Sequence, residues 1–529
     1  MVLAVVWPKT MASKVDLPDF LSAWLDSWGS KMLCQMRQAV KELDIRLTWP
    51  QFCSGSPGST SSAALRLGTD CSGLDAPVYG LRALEIAHRH VFSCENNPAA
   101  RAMIDMNCKP DVFFQDVLMS CEDAAPFCHL HVAGFSCKPF STLHNKSKLL
   151  EEKDASIFKA VVRRIATLRP PSFLLENVEG IQRVMGEVTS RLKACGYLVV
   201  PKLMDPASLG EPLLRPRFYF IGLRKDVASV SQGQAEQVVN QLWSAMQKNS
   251  SGASLLLRLL PNDHPLVRES QVQRRERWRK AAAAGFPDPS CRTKWKEKHA
   301  AHASDDSSGQ AVSACSPDGL FLHLPRQRDL WIKLSQKWVG QANQLTCDLS
   351  QSLGRARERV DGKLPTVTPR SHLIVAQLRR AIVPHEMLLL HGFPLHQMVF
   401  PSNAKGSDLA SMGGNTMHIP VVALATLMTL LLVDWGLPAA HRSGDASICP
   451  AVVEPPCTIC SDAKLRFKEG QLEAKLRARF GLPGNTALAK ACSKKGFRPQ
   501  KRKTTQVQLK KKKKELCKKT FLQGTRWGR

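Results

Sequence analysis

HLHVAGFSCKPFS, residues 129–141, begins as an apolar, β-prone run and breaks at Gly134 into a loop carrying Cys137, Lys138 and Pro139. A strand that ends in a Gly/Ser/Pro loop sets a side chain at the carboxyl edge of a sheet, where open α/β folds bind their ligands. Cysteine is among the most often buried residue types, so one cysteine of 17 is by default a packing residue. The company of Cys137 argues for more. FLLENVEG, residues 173–180, is a second apolar strand that ends in the polar pair Glu176-Asn177. A thiolate and a carboxylic acid on neighbouring strand ends are placed to attack a ring carbon and to hold a ring nitrogen.

Outward from these two strands, the chain from Leu65 alternates short apolar runs with helical patterns. That alternation predicts an α/β fold, a mostly parallel sheet with helices on both faces. LRLGT (65–69) is expected as the first strand, VFSCE (91–95) and VFFQD (112–116) as the second and third, each of the latter two ending on an acid. The 129–133 run and the FLLENVEG stretch (173–180) follow as the fourth and fifth, with a helix over about 155–168 between them. LVVPKL (198–203) and RFYFIGL (217–223) are expected to pair as a hairpin. The glycine turn at Gly73 lets backbone approach a ligand, and an acid closing the next strand is placed to accept from a ribose diol. Glu95 is that acid, and Asp116 closes the third strand in the same way.

The rest of the chain sets the boundaries. Residues 17–45 carry apolar side chains at helical spacing and predict one or two amphipathic helices, broken near Gly29 and packed back on the main domain. CSGSPGSTSSAA, residues 53–64, has linker composition. The apolar run 421–433 is 13 residues long, short of a bilayer span, and is expected as a buried helix with no membrane role. No signal peptide is read in MVLAVVWPKT. Seventeen irregularly spaced cysteines then imply free thiols in a reducing compartment. The formal net charge is +29, and residues 461–529 hold 22 Lys and Arg against 4 Asp and Glu. Such a basic chain meets polyanions, nucleic acid first. Trp278 and Trp295 lie among basic residues in 274–299, the composition of a groove that tracks a backbone, or equally of a small domain's own core. Cys457 and Cys460 lack well-spaced partners downstream, so no metal site is assigned.

GFSCKPFS followed by ENV resembles the catalytic core of the C5-cytosine DNA methyltransferases, and further motifs stand in that family's order. Cys71, Ser72 and Gly73 occupy its Phe-x-Gly turn. PLLRPRFYFIG, residues 212–222, matches its Gln-x-Arg-x-Arg motif with both arginines; LPTVTPR (364–370) and the segment ending HGFP resemble the ninth motif, and MGGNTMHIPV (412–421) the tenth. The resemblance covers roughly residues 65–435. It departs at Ser136 and Lys138, where the family has Pro and Gln, at Leu213 in place of Gln, and at Asp75 in place of a second glycine.

The resemblance implies an S-adenosylmethionine-dependent, Rossmann-like mixed sheet with a smaller inserted target-recognition domain. It implies Cys137, Glu176, Asn177, Arg215 and Arg217 as catalytic residues. The expected cofactor-binding set is Cys71, Ser72, Gly73, Leu74, Glu95, Asn96, Asp116, Val117, Asn415 and Thr416. The domain plan is a helical segment (1–50), a linker (51–64), the catalytic core (65–224), the target-recognition domain (225–364), the returning part of the core (365–436) and a basic tail (437–529). DNA is the expected partner, with RNA possible, and the nucleus the expected location. Alternatives are a tRNA cytosine methyltransferase and an impaired methyltransferase fold kept for nucleic-acid binding. A thiol hydrolase pairing Cys137 with His131 or His144 would leave the ENV motif and the strand-end acids unexplained.

Overall fold

The computed structural model describes residues 14–45, 64–119, 124–140, 155–250, 252–283, 325–351, 357–402 and 404–435. The chain divides into two units, Met1–Asp445 and Ala446–Arg529, and every described residue belongs to the first. Trp295, the Cys457 and Cys460 pair, the basic tail and most of the 51–64 linker therefore lie outside the described residues, as does the side chain of Trp278.

The main sheet is built from β1 (Leu65–Asp70), β2 (His88–Cys94), β3 (Val112–Phe114), β4 (Leu130–Ala133), β5 (Ser172–Val178), β6 (Tyr197–Met204) and β7 (Arg217–Arg224). Their order is β3-β2-β1-β4-β5-β7-β6. The first five run parallel, β7 is antiparallel to β5, and β6 is antiparallel to β7. The chain steps outward from β1 to β2 and β3, then returns to lay β4 on the other side of β1. That reversal leaves a crevice beyond the carboxyl ends of β1 and β4.

The expected strands are present with two shifts. The second ends at Cys94, so Glu95 follows it, and the third covers Val112–Phe114 only, so Gln115 and Asp116 belong to the loop. Glu176 and Asn177 stand near the end of β5 as expected, where it pairs with β7 through Val178↔Arg217.

Helices cover both faces: α1 (Asp19–Glu42), α2 (Ala76–Ala83), α3 (Pro98–Asn107), α4 (Ser156–Leu168), α5 (Met185–Ala194), α6 (Gln232–Lys248), α7 (Pro265–Ala283), α8 (Pro325–Lys337), α9 (Pro384–Leu389), α10 (Gly406–Asn415) and α11 (Ile419–Leu431). All 13 residues of α11 are buried, and it packs on α2, β5 and β7. The Gly406–Leu431 stretch is long and apolar enough to cross a membrane, yet 94% of its most apolar window is buried within the protein.

No break occurs at Gly29: α1 is one continuous helix. Glycine is there for close approach. A Cβ at Gly29 would stand 1.9 Å from the carbonyl oxygen of Ala83, so α1 and α2 touch backbone to backbone. Leu21, Leu25, Trp28, Met32 and Met36 of α1 join the same core as α11.

A small three-stranded sheet, β8 (Thr346–Asp348), β9 (Leu373–Val375) and β10 (Arg380–Ala381), packs against Leu330, Trp331 and Leu334 of α8. Position 364, expected to close the inserted domain, falls between β8 and β9. The paired strands straddle it, and α6, expected in the insertion, packs with the main core. Strand pairing and burial, and not chain order, set this boundary.

The insertion is pinned at its base. Arg380 binds Glu386 through both terminal nitrogens (2.8 and 2.7 Å), Glu386 accepts from the Leu260 N–H (2.9 Å), and Arg380 donates to the Leu260 carbonyl (2.7 Å).

Gly29→Ala is expected to lower stability by about 1–3 kcal/mol through overpacking, whereas Ala at exposed Ser30 should change it little. Thermal denaturation with limited proteolysis of α1 checks this; equal melting temperatures for the two variants would contradict the backbone contact.

Candidate active site

The turn after β1 is strained. Cys71, Gly73 and Asp75 have φ of 50°, 61° and 55°, and for the two non-glycine residues this left-handed backbone costs about 1–2 kcal/mol each. A buried polar network offsets that cost. The Asp75 carboxylate accepts from Thr69 Oγ1 (2.8 Å) and Ser93 Oγ (3.0 Å), Ser93 Oγ lies 3.0 Å from Ser72 Oγ, and His90 Nε2 lies 3.0 Å from Thr69 Oγ1. Burial lowers the His90 pKa, against the pull of Asp75. The acid standing where the family has a glycine thus holds β1, β2 and the start of α2 together.

Glu95 follows β2 and accepts from the Gly73 N–H (2.9 Å) and the Asn97 N–H (2.8 Å). Desolvation raises its pKa, while those same backbone donors pull it down. Two backbone bonds leave lone pairs on both oxygens for a further donor. Asp116 is half-buried and accepts from the Leu118 N–H (2.9 Å). The thiol of Cys71 is held well above its ordinary pKa, first by desolvation and then by Asp70, Cys94, Glu95 and Asp116. Glu95 and Asp116 thus place negative charge near this turn, which favours a cationic ligand there, while Asp70 is fully buried beneath it.

The turn before α11 closes the cleft from above 340 residues away in sequence. The Asn415 carbonyl lies 3.7 Å, and Thr416 Oγ1 4.0 Å, from where a Gly73 Cβ would stand. Thr416 is buried and its hydroxyl has no partner among the described residues. Leu74 and Val117 are buried, and Asn96 and Asn415 are exposed. The residues present fit a ligand with a diol, an amino group and positive charge.

Beyond β4, the loop of Cys137 is fixed at both ends. Asn177 Nδ2 donates to the Phe135 carbonyl (3.0 Å), the Phe140 N–H to the Cys137 carbonyl (3.0 Å), and Arg183 Nη2 to the Phe140 carbonyl (2.8 Å). Cys137 is exposed on its outer side. The protein around the rest of it desolvates the thiol and raises its pKa, Arg217 opposing, Glu176 adding and Arg215 opposing. Glu176 pairs with Arg217 Nε at 3.1 Å. The other Glu176 oxygen lies 3.7 Å from where a Gly134 Cβ would stand, and the Met417 methyl 2.9 Å from the same point. Cys137, Glu176, Asn177 and Arg217 therefore meet at the ends of β4, β5 and β7.

Arg215 was expected beside the thiol with Arg217, and its direct bonds go elsewhere. It is buried, and its guanidinium donates to the carbonyls of Val367 (3.1 Å), Gly414 (3.3 Å) and Thr416 (2.6 Å). Desolvation and Arg217 lower its pKa to about 9, so it keeps its charge at neutral pH. Leu213, in the family's glutamine position, is wholly buried in an apolar cluster. Sequence reasoning missed Met417, although it stands inside the MGGNTMHIPV motif, and the Thr69–Ser93–His90 network, whose members are scattered polar residues in apolar strands. Among the described residues no group of three or more His, Cys, Asp or Glu could hold a metal ion.

A cleft at a topological switch point, lined by acids and faced by a thiol loop on the adjoining strand, places the fold in the Rossmann-like methyltransferase class. Within that class the chain belongs to the C-5 cytosine-specific DNA methylase family, whose profile matches residues 71–426. It is 23% identical over 417 residues to the DNA (cytosine-5-)-methyltransferase DMT5 of Cryptococcus neoformans var. grubii, covering 69% of this chain and 17% of that protein. It is 29% identical over 162 residues to the type II methyltransferase M.NlaIV of Neisseria lactamica, covering 28% of this chain and 38% of that one. The chain thus spans less than half the length of these relatives. The crystal structure of the S. pombe Dnmt2 methyltransferase is 16% identical, with a TM-score of 0.42, and covers 70% of this chain and 98% of its own.

Two predictions follow from the charges. Arg215→Ala leaves three buried carbonyls short of donors and should cost roughly 3 kcal/mol, whereas Arg217→Ala should cost little stability; denaturant titration separates them. Burial holds His385 at about 4 and His418 at about 3, below the 6.5 of an unfolded chain. Between pH 6.5 and 4 the unfolded chain takes protons that these side chains refuse, so their contribution falls as pH falls. Unfolding measured at pH 7, 5.5 and 4.5 should show that loss, lessened in His418→Leu.

Proposed function

We propose that the chain is a DNA cytosine-5 methyltransferase that uses S-adenosylmethionine and forms a covalent bond from Cys137 to C6 of the target base. The observation that carries this reading is the meeting of Cys137, Glu176 and Arg217 at one edge of the sheet, across from an acid-lined turn.

Cytosine C5 is a poor nucleophile. Attack of the Cys137 thiolate on C6 turns C5 into an enamine carbon, and Glu176, sharing a proton with N3, favours charge build-up on the ring. Arg217 binds Glu176 and faces the thiol, so one guanidinium both orients the acid and favours the thiolate. Asn177 fixes the loop through the Phe135 carbonyl. When bound, S-adenosylmethionine supplies a methyl group on a sulfonium. Glu95 would hold its ribose diol, Asp116 its adenine amino group, Thr416 a further polar atom, and the surrounding acids its positive charge. A solvent water acting as base takes the C5 proton, and the electron pair it leaves re-forms the C5–C6 double bond and expels the Cys137 thiolate from C6. The target base must leave the duplex to reach this edge, at a few kcal/mol of unstacking.

DNA as substrate is supported by family membership and by the net charge of +29. The nucleus as location is supported by the basic run over 494–519.

The test uses tritiated S-adenosylmethionine with unmethylated DNA, hemimethylated DNA and tRNA, on the wild type and on Cys137→Ala. Label on DNA cytosine that disappears in the variant is the expected result; label on tRNA alone would reassign the substrate, and cofactor binding without transfer would overturn the enzyme reading. Because the Cys137 pKa is raised, the transfer rate should climb with pH beyond the range of an ordinary thiol.

A further inference from the structure

Beneath the two catalytic loops lies a charged cluster that the proposed chemistry does not use. Asp70, the last residue of β1, is fully buried, and so are its two partners. Its carboxylate accepts from Arg164 Nη1 of α4 at 2.8 Å and faces His131 Nε2 of β4 at 2.9 Å. The Arg164 guanidinium lies over the rings of Phe92 and Phe114, 5.4 and 5.1 Å from their centroids. A buried ionic triad of this kind is a poor source of stability, because desolvation of the charges consumes most of their attraction. Its place in the chain suggests another use.

Asp70 immediately precedes Cys71 and the strained turn. Its carbonyl accepts from the Gly134 N–H (3.3 Å), three residues before Cys137. Gly134 in turn stands against the Cys71 carbonyl and Glu176. Arg164 lies on α4, the helix that follows the thiol loop in the chain. One carboxylate is therefore tied to the cofactor turn by covalent continuity, to the thiol strand by His131 and to the helix beyond the loop by Arg164.

We propose that Arg164 and His131 are positioning residues which, through Asp70, hold the thiol loop in register with the cofactor turn. This rests on the methyltransferase reading, since register matters only if the thiol and a donor act on the same ring. Errors of about 1 Å in such alignments cost on the order of a hundredfold in rate, so the register is worth a fixed ionic clamp.

The test removes the whole triad, because deleting one member strands a buried charge. D70L/H131L/R164M keeps apolar volume and is expected to melt within a few degrees of the wild type and to bind S-adenosylmethionine within threefold. Its kcat should fall at least tenfold with KM for DNA unchanged, and the Gly134 amide should exchange faster with solvent. Unchanged Gly134 protection together with kcat within twofold of the wild type would overturn the proposal. Should the triple variant fail to fold, R164K retains the charge and carries the same readouts. It should lose several-fold in kcat at near wild-type stability, and wild-type kcat and Gly134 protection in R164K would overturn the proposal equally. A wild type that transfers no methyl group would sink the methyltransferase reading alone. The Gly134 amide then decides the positioning role by itself, with faster exchange in the variant upholding the clamp and unchanged exchange refuting it.

Discussion

The guanidinium of Arg215 is the constraint on which the site depends. Three backbone carbonyls, those of Val367, Gly414 and Thr416, converge on one buried cation at the start of β7. Without it the turn before α11 would have no fixed position over Gly73, and the cleft would lose its roof. Its neighbour two residues on, Arg217, points instead to Glu176. Arg215 precedes β7 and Arg217 is its first residue, and the two side chains find different partners, backbone carbonyls for one and the Glu176 carboxylate for the other. The short Arg-x-Arg motif thereby ties the roof of the cleft to the sheet edge that carries Glu176.

Around that cation the structure accepts energetic costs near the site and recovers them behind it. Left-handed Cys71 and Asp75 are unfavourable alone, and the Thr69, Ser93 and His90 network makes them tolerable. A glycine in place of Asp75 would relieve strain and remove the anchor at once. Burial first, and then the acids around the turn, hold the Cys71 thiol well above its ordinary pKa. Cys137, outside that cluster and beside Arg217, is the thiol left with a cationic neighbour. Burial raises both thiols, and the charges around them differ: acids surround Cys71, whereas Arg217 and Arg215 oppose the rise at Cys137.

Much of this was legible because strand-end chemistry is local. A β-branched run closed by glycine, an acid after a run, and the ENV triplet each announce themselves within a few residues, and with them β1, β2, β4, β5 and the thiol loop. What was hidden depends on residues far apart in sequence. Asp70, His131 and Arg164 are single polar interruptions in three apolar segments, and only the fold shows that they meet. Gly29 reads as a helix breaker until Ala83 is placed against it. β9 and β10 are three and two residues long, too short for any periodicity, so the pairing of β9 with β8 across position 364, and of β10 with β9, left no pattern to read. Arg215 and Arg217 look equivalent as letters, and their division of labour exists only once α11 is in place.

The Arg380–Glu386 clasp carries an evolutionary consequence. Leu260 and Arg380, which stands in β10 of the small sheet, are 120 residues apart, and the Arg380–Glu386 pair grips the backbone of Leu260 from both partners. Lengthening a segment whose ends are already joined adds little closure entropy, since that cost grows only with the logarithm of length. The intervening stretch is in effect a cassette: its content and size can drift while the edge bearing Cys137 stays as it is. Change within the insertion is then mechanically insulated from the sheet edge outside it.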